Sequence, residues 1–128
     1  MIYVDSSVVL ADVLAEQRSP PAEFWNEPMV ASRLLEYETW TKINALGLGR
    51  TRGDRASAIL DHITMVELSS SALGRALDPF PIAVRTLDAL HLATIEHLRS
   101  LGHDMELASY DARLIAAARA LGIPIFRL

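Results

Sequence analysis

The 128-residue chain contains no cysteine, and this absence excludes several chemistries at once. Disulfide frameworks, thiolate metal sites and cysteine nucleophiles all require a thiol. The lack of cysteine also suits a protein of the cytoplasm, where disulfides are rare. Any metal bound by this chain must therefore rely on oxygen or imidazole ligands.

Long apolar runs are missing too, since no segment is long and uncharged enough to cross a bilayer. The first ten residues, MIYVDSSVVL, have no basic region ahead of their apolar residues, and Asp5 interrupts them. They therefore do not resemble a signal peptide. We expect a cytoplasmic protein without a membrane segment.

Several catalytic motifs do not occur in the chain. There is no serine nucleophile elbow of the G-x-S-x-G type and no glycine-rich phosphate loop. The four histidines, at positions 62, 91, 97 and 103, do not have the H-E-x-x-H spacing of a zinc protease. These absences argue against a serine hydrolase, a P-loop nucleotide-binding protein and a zinc peptidase.

Positive charge is scarce, because the formal net charge is −4 and Lys42 is the only lysine. An acidic total opposes simple electrostatic capture of nucleic acid. Three arginines nevertheless crowd into the segment RTRGDR, at Arg50, Arg52 and Arg55. Arginine binds phosphate in a bidentate manner. We expect this segment to be a loop between the second and third helices that forms a phosphate-contacting rim, although plain solvated surface is an alternative.

Apolar, β-branched segments alternate with segments of helical periodicity along the whole chain. The predicted strands are, in order, MIYV, MVAS, TMVEL, MELASY and IPIFRL. Such alternation with short connections predicts an α/β fold, with a central parallel sheet flanked by helices on both faces. No repeat or linker interrupts the pattern, so we expect one domain over residues 1–128.

Acidic residues occur where this topology would bring them together. Asp5 and Asp111 each follow a predicted strand directly, and Glu36 and Glu38 begin the helix after the second strand. Asp88 lies in TLDALHLA, on the apolar stripe of a predicted helix. Each acid alone is explained by helix capping or by solvation. Gathered at the carboxyl edge of a parallel sheet, these carboxylates would repel one another. A divalent cation bound by their oxygens would offset this repulsion.

The order and spacing of four segments are similar to those of the PIN domain family, in particular to the VapC-type ribonuclease toxins. The likeness covers essentially the whole chain and is most specific at D-A-L-H-L-A (residues 88–93) and S-Y-D-x-R-L (residues 109–114). The four segments are YVDSSVVL, ASRLLEYETW, TLDALHLATI and LASYDARLIAAARALGIPIF.

Carried over by position, the resemblance implies a catalytic and metal-binding quartet of Asp5, Glu38, Asp88 and Asp111. Glu36 is the alternative to Glu38. Ser7 and Ser109 match the small polar residues that support the carboxylates in this family. His91 is placed three residues after Asp88, within reach of a supporting hydrogen bond to it, although a satisfied core histidine is the simpler interpretation.

The resemblance also implies an activity and partners. It implies cleavage of RNA that depends on Mg²⁺, or on Mn²⁺, by a metal-activated water. It implies the toxin of a VapBC-type pair, inhibited by a small antitoxin protein and commonly a homodimer. Arg50, Arg52 and Arg55 then become candidates for RNA binding.

Three other interpretations share parts of this pattern. A phosphoacceptor receiver domain also gathers acids around Mg²⁺, but it needs a lysine near its last strand, where this chain has only Arg127. A housekeeping PIN nuclease of RNA processing has the same site without the toxin role. A catalytically silent PIN-like binding module is disfavoured because all four acids are present.

Overall fold

A four-stranded parallel sheet forms the centre of the protein, whose computed structural model describes all 128 residues. The strand order is β3-β2-β1-β4, so that β1 lies between two neighbours inside the sheet. The strands are β1 (Ile2–Val4), β2 (Met29–Ser32), β3 (Thr64–Val66) and β4 (Glu106–Ala108).

Helices connect the strands, as parallel pairing requires. They are α1 (Ser6–Val13), α2 (Leu34–Ala45), α3 (Gly49–Leu60), α4 (Ser70–Ala76), α5 (Thr86–Ser100) and α6 (Ala112–Ala120), with a 3₁₀ helix at Ala22–Asn26. None of these helices combines the length and apolar composition needed to cross a bilayer.

Two hydrophobic cores cover the two faces of the sheet, because side chains alternate along each strand. Ile2 and Val4 of β1 pack in one core with residues of α1, α2 and α3. Tyr3, on the opposite face, packs in the other core with residues such as Leu92 of α5 and Leu114 of α6. The expected α/β fold, with helices on both faces of a parallel sheet, is confirmed.

The predicted fifth strand, IPIFRL, is wrong as an extended strand. It contributes one parallel bridge, between Leu107 of β4 and Ile125. Leu107 N–H donates to the Pro124 carbonyl, and Phe126 N–H donates to the Leu107 carbonyl, both at 2.8 Å. Pro124 has no N–H to add to a ladder, and the pairing is confined to this bridge.

The RTRGDR segment is not a loop, which corrects the sequence-based expectation. All six of its residues lie within α3. Gly53 suggested a loop, but it is buried, and a Cβ built on it would lie 3.1 Å from the Trp40 ring. The glycine therefore permits α2 and α3 to pack closely and does not mark a turn.

Candidate active site

An open cleft of about 750 Å³ lies beyond the carboxyl ends of β1 and β4, and all four carboxylates of the predicted quartet line it. Topology explains the convergence, because Asp5 directly follows β1 and Asp111 follows β4 by three residues. Asp88 enters from the first turn of α5. Glu38 enters from α2, which follows β2.

Asp5 is the most buried member of the quartet, with 6% of its surface exposed. Its carboxylate caps α1, and Oδ2 accepts hydrogen bonds from Ser7 Oγ at 2.6 Å and Ser109 Oγ at 2.8 Å. Burial raises the pKa of the Asp5 carboxyl in spite of these two bonds, which act to lower it. No protein donor bonds to Oδ1, which remains available to a ligand in the cleft.

Ser7 and Ser109 also tie the loop after β1 to the loop after β4. Ser7 Oγ accepts from the backbone N–H of Tyr110, and Ser109 Oγ accepts from that of Asp111, both at 2.9 Å. The two serines therefore hold Asp5 and, at the same time, the backbone that presents Asp111. Both serines selected from the resemblance thus hydrogen-bond to Asp5 of the predicted quartet.

Arg85 bridges the remaining two aspartates. Its guanidinium donates to Asp88 Oδ2 at 3.3 Å and to Asp111 Oδ2 at 3.2 Å. Asp111 uses its other oxygen to cap α6, accepting from the backbone N–H groups of Arg113 and Leu114. Asp88 Oδ1 has no protein donor. The Arg85 side chain is 62% exposed, so it lies over the cleft and is not built into the core.

The two glutamates of α2 take different positions. Glu38 lines the cleft, with Oε1 bonded to His91 Nε2 and Oε2 accepting from Ser6 Oγ at 3.2 Å. Glu36 is not a lining residue of the cleft and pairs with Arg33 at 3.1 Å. The structure thus brings Glu38, and not the alternative Glu36, together with the three aspartates.

His91 supports Glu38 and makes no hydrogen bond to Asp88, which differs from the expected partner. The ring is 1% exposed and spans from Glu38 to the Tyr3 hydroxyl, 2.7 Å from Nδ1. Burial opposes a charge on this ring, but the hydrogen bond that the ring donates to Glu38 and the negative charges of Glu38, Asp5 and Asp88 outweigh it, and the pKa of His91 is raised.

The donor set of the cleft fits a hard divalent cation, since carboxylate oxygens are the ligands that Mg²⁺ and Mn²⁺ prefer. Asp5 Oδ1 and Asp88 Oδ1 are the two oxygens without a protein donor. As they stand, no three acidic or histidine groups converge closely enough to share one ion. Two of the four carboxylates are turned toward Arg85, and a third toward His91.

The three arginines of α3 lie elsewhere. None of them lines the cleft. Arg55 is engaged by Asp12 of α1 through two bonds of 2.9 and 3.0 Å, and Asp12 also accepts from the Trp25 indole. Arg50 and Arg52 are exposed on the helix surface. The structure leaves their role in RNA binding a prediction.

The cations that line the cleft are Lys42 and Arg85, and sequence reasoning did not select either as a site residue. Arg85 stands three residues before Asp88, a spacing that brings side chains together on a helix. That spacing could have identified Arg85 as a partner of Asp88 from the sequence. Tyr3, which contacts His91, could not be identified in this way, because a tyrosine in an apolar strand looks like any core residue.

Comparisons with known proteins agree with this architecture. The chain matches the PIN domain family over residues 2–120. It is 33% identical to Ribonuclease VapC46 of Mycobacterium tuberculosis over 129 residues, which cover 97% of this chain and 95% of the relative. It is 27% identical to Ribonuclease VapC47 of the same species over 130 residues, covering 95% and 93% of the two chains.

Solved structures share the fold at lower identity. VapC20 of Mycobacterium tuberculosis, described as a Sarcin-Ricin loop cleaving toxin, matches with a TM-score of 0.62 at 19% identity over the whole of both chains. A toxin–antitoxin complex from Klebsiella pneumoniae contains a chain that matches with a TM-score of 0.64 at 16% identity over 94% of each chain. With a family match along nearly its whole length and VapC ribonucleases as full-length relatives, the chain belongs to the PIN domain family.

Proposed function

We propose that this protein is an endoribonuclease that uses Mg²⁺, or Mn²⁺, to hydrolyse RNA phosphodiester bonds. The observation that carries the proposal is the convergence of Asp5, Glu38, Asp88 and Asp111 on one cleft that is also lined by two cations. The names of the full-length relatives, which are ribonucleases, support the same activity. Four carboxylates alone would repel an RNA phosphate, so the proposal includes the metal.

The charged residues of the cleft, and the two serines that hold Asp5, each have a task in this proposal. Asp5 and Asp88 are the principal ligands, because each has an oxygen free of protein donors, and Glu38 and Asp111 complete the set. A divalent ion bound there would lower the pKa of a bound water and would neutralise charge that builds on the phosphate. Ser7 and Ser109 keep Asp5 oriented. Lys42 and Arg85 offer positive charge to the substrate phosphate.

We further propose that the protein is the toxin of a VapBC-type pair, acts in the cytoplasm as a homodimer and is inhibited by a small antitoxin. The Klebsiella pneumoniae neighbour is itself a toxin–antitoxin complex. Large exposed apolar residues, among them Leu77 at 88% and Tyr37 at 66%, offer surface for protein contacts. Light scattering gives the molar mass of the protein alone, which tests the homodimer. The same measurement with the product of an adjacent small open reading frame tests the complex with an antitoxin.

The activity is tested with isosteric variants assayed on RNA in the presence of Mg²⁺. Asp88→Asn keeps the shape and removes one charge, and we expect a loss of at least ~100-fold in rate, as for other key electrostatic groups. Glu38→Gln should also lose activity, whereas Glu36→Gln, two residues away on the same helix, is the matched control and should not. Cleavage by Asp88→Asn at the parent rate would refute the site, and a parent protein without activity would favour the silent binding module.

A further inference from the structure

The hydroxyl of Tyr3 lies in the core of the protein, where a polar group needs partners. Tyr3 is 0% exposed, and its hydroxyl oxygen Oη has two hydrogen-bond partners. The backbone N–H of Ser32, at the end of β2, donates to Oη at 3.0 Å, and His91 Nδ1 lies 2.7 Å from Oη. The hydroxyl is therefore satisfied, but it makes no hydrogen bond to a residue that lines the cleft.

The hydrogen bonds around Tyr3 have a defined direction in the neutral state of the imidazole. The Glu38 carboxylate can only accept, so His91 Nε2 must carry a hydrogen toward it. Nδ1 of a neutral ring is then bare and needs a donor. Since Ser32 N–H already donates to Tyr3 Oη, the hydroxyl hydrogen is free to point at Nδ1. The chain of donors runs from Tyr3 through His91 to Glu38.

This chain joins three separate elements to one carboxylate. Tyr3 belongs to β1, His91 to α5 and Glu38 to α2. The far oxygen of Glu38 accepts from Ser6 Oγ, so both carboxylate oxygens are held while 20% of the side chain stays exposed. Tyr3 is also only two residues before Asp5, so the strand that presents Asp5 anchors Glu38 as well.

We propose that Tyr3 and His91 are positioning residues: the Tyr3 hydroxyl holds the imidazole ring at Nδ1, and the ring in turn fixes the orientation of Glu38 toward the ion and substrate. The inference rests on the proposed function, because it assigns a role within that site. Partners of this kind around a metal-ligating carboxylate typically change metal affinity or activity by about 10–100-fold when removed.

Two substitutions of His91 separate positioning from general structural support. The amide nitrogen of Gln reaches the place of Nε2, whereas that of Asn reaches only the place of Nδ1. His91→Gln should therefore keep a donor for Glu38 and most of the Mn²⁺ affinity, measured by calorimetry. His91→Asn should lose about 10-fold or more. Equal affinity of both variants and the parent would overturn the inference.

Tyr3→Phe removes only the hydroxyl and tests the first link of the chain. We expect Mn²⁺ affinity and kcat to fall by about 10-fold, with KM for RNA little changed, because Glu38 remains present but loses its fixed orientation. Because the variant also leaves Ser32 N–H without its acceptor, it is compared with Ile123→Ala, a truncation in the same core. That control should lower the melting temperature and leave metal affinity unchanged.

The tautomer itself is observable by nitrogen NMR of the His91 side chain at alkaline pH, without metal or RNA. The parent should show a hydrogen on Nε2 and a bare Nδ1 that accepts from the Tyr3 hydroxyl. Tyr3→Phe should keep the hydrogen on Nε2, because Glu38 still accepts from it, but its Nδ1 resonance should move to that of a nitrogen without a hydrogen bond. An unchanged Nδ1 resonance in Tyr3→Phe would overturn the inference. This readout does not depend on activity, so it is distinguishable from a failure of the proposed function, which would appear as a parent that neither binds metal nor cleaves RNA.

Discussion

Arg85 and Asp111 form an ion pair of 3.2 Å across the cleft, between residues 26 positions apart in the chain. The same guanidinium also contacts Asp88 at 3.3 Å. It therefore supplies a positive charge to two of the four carboxylates that line the cleft, and it holds the one Asp111 oxygen that does not cap α6. Arg85 and a divalent ion are expected to compete for this oxygen.

Removing this competitor should strengthen metal binding. In Arg85→Ala we expect a higher Mn²⁺ affinity by calorimetry and, without metal, a loss of stability of about 0.5–1 kcal/mol, the size of an exposed ion pair. Arg99→Ala is the matched control, because Arg99 lies near the opposite end of the same helix and is also exposed. A weaker Mn²⁺ affinity in Arg85→Ala would show that the arginine supports the metal site and does not compete with it.

Metal should stabilise the folded protein by mass action. At a free Mn²⁺ concentration of 100 times Kd, the gain is about 2.7 kcal/mol, visible as a rise in melting temperature. Asp5→Asn should blunt that rise and should stabilise the metal-free protein, since burial of the Asp5 charge is unfavourable, as its raised pKa indicates. Asp54→Asn, on the exposed surface of α3, should change neither quantity. If millimolar Mn²⁺ leaves the melting temperature of the parent unchanged, the result would argue against a metal site.

The arginines of α3 divide into two kinds with different expected effects. If Arg50 and Arg52 each contact an RNA phosphate, replacing both with Ala should reduce the slope of log K against log salt by about 1.4, or ~0.7 per contact with a single strand. Arg55→Ala should instead lower stability, because its partner is Asp12. Filter binding at several salt concentrations measures the slope. An unchanged slope in the double variant would remove these two residues from the RNA interface.

Asp12 should make stability depend on pH in the acidic range. Burial alone would raise its pKa, but the hydrogen bonds from Arg55 and Trp25 and the charge of Arg55 outweigh it and hold the pKa below its usual value. A lowered folded pKa gives a stabilisation that is fully present above the unfolded value of about 3.9 and is lost as the pH falls through the folded value. Near neutral pH, the free energy of unfolding of the parent should exceed that of Asp12→Asn by about 1–2 kcal/mol.

Urea denaturation at a series of pH values measures this difference. It should be constant from neutral pH to about pH 5 and shrink below about pH 4. A difference that grows on acidification would contradict the sign. Asp54→Asn serves again as the control. Its free energy of unfolding should differ from that of the parent by the same amount at every pH in this range.

Local sequence was sufficient for the four strands of the sheet, for most of the helices and for most of the acidic cluster. Asp5 and Asp111 follow strands, and in a parallel sheet every strand ends at the same edge. Their convergence therefore follows from chain order alone. The position of Asp88 on an apolar helical stripe carried the same kind of information, because helical periodicity determines which face a residue shares. The capping of α1 and α6 by Asp5 and Asp111 is likewise local.

Periodicity shows which face of a helix or strand is apolar, but only tertiary packing decides which other element that face contacts. The sequence by itself established an α/β chain with acids at one sheet edge. The resemblance selected Glu38 with Glu36 as the alternative, and only the folded structure shows that Glu38 lines the cleft, where it is held by His91, 53 residues away. Packing against Trp40 likewise turned Gly53 from an apparent loop signal into a helix contact. The link from Tyr3 to His91 spans 88 residues, and such contacts arise from the docking of whole elements, which no short stretch of sequence encodes.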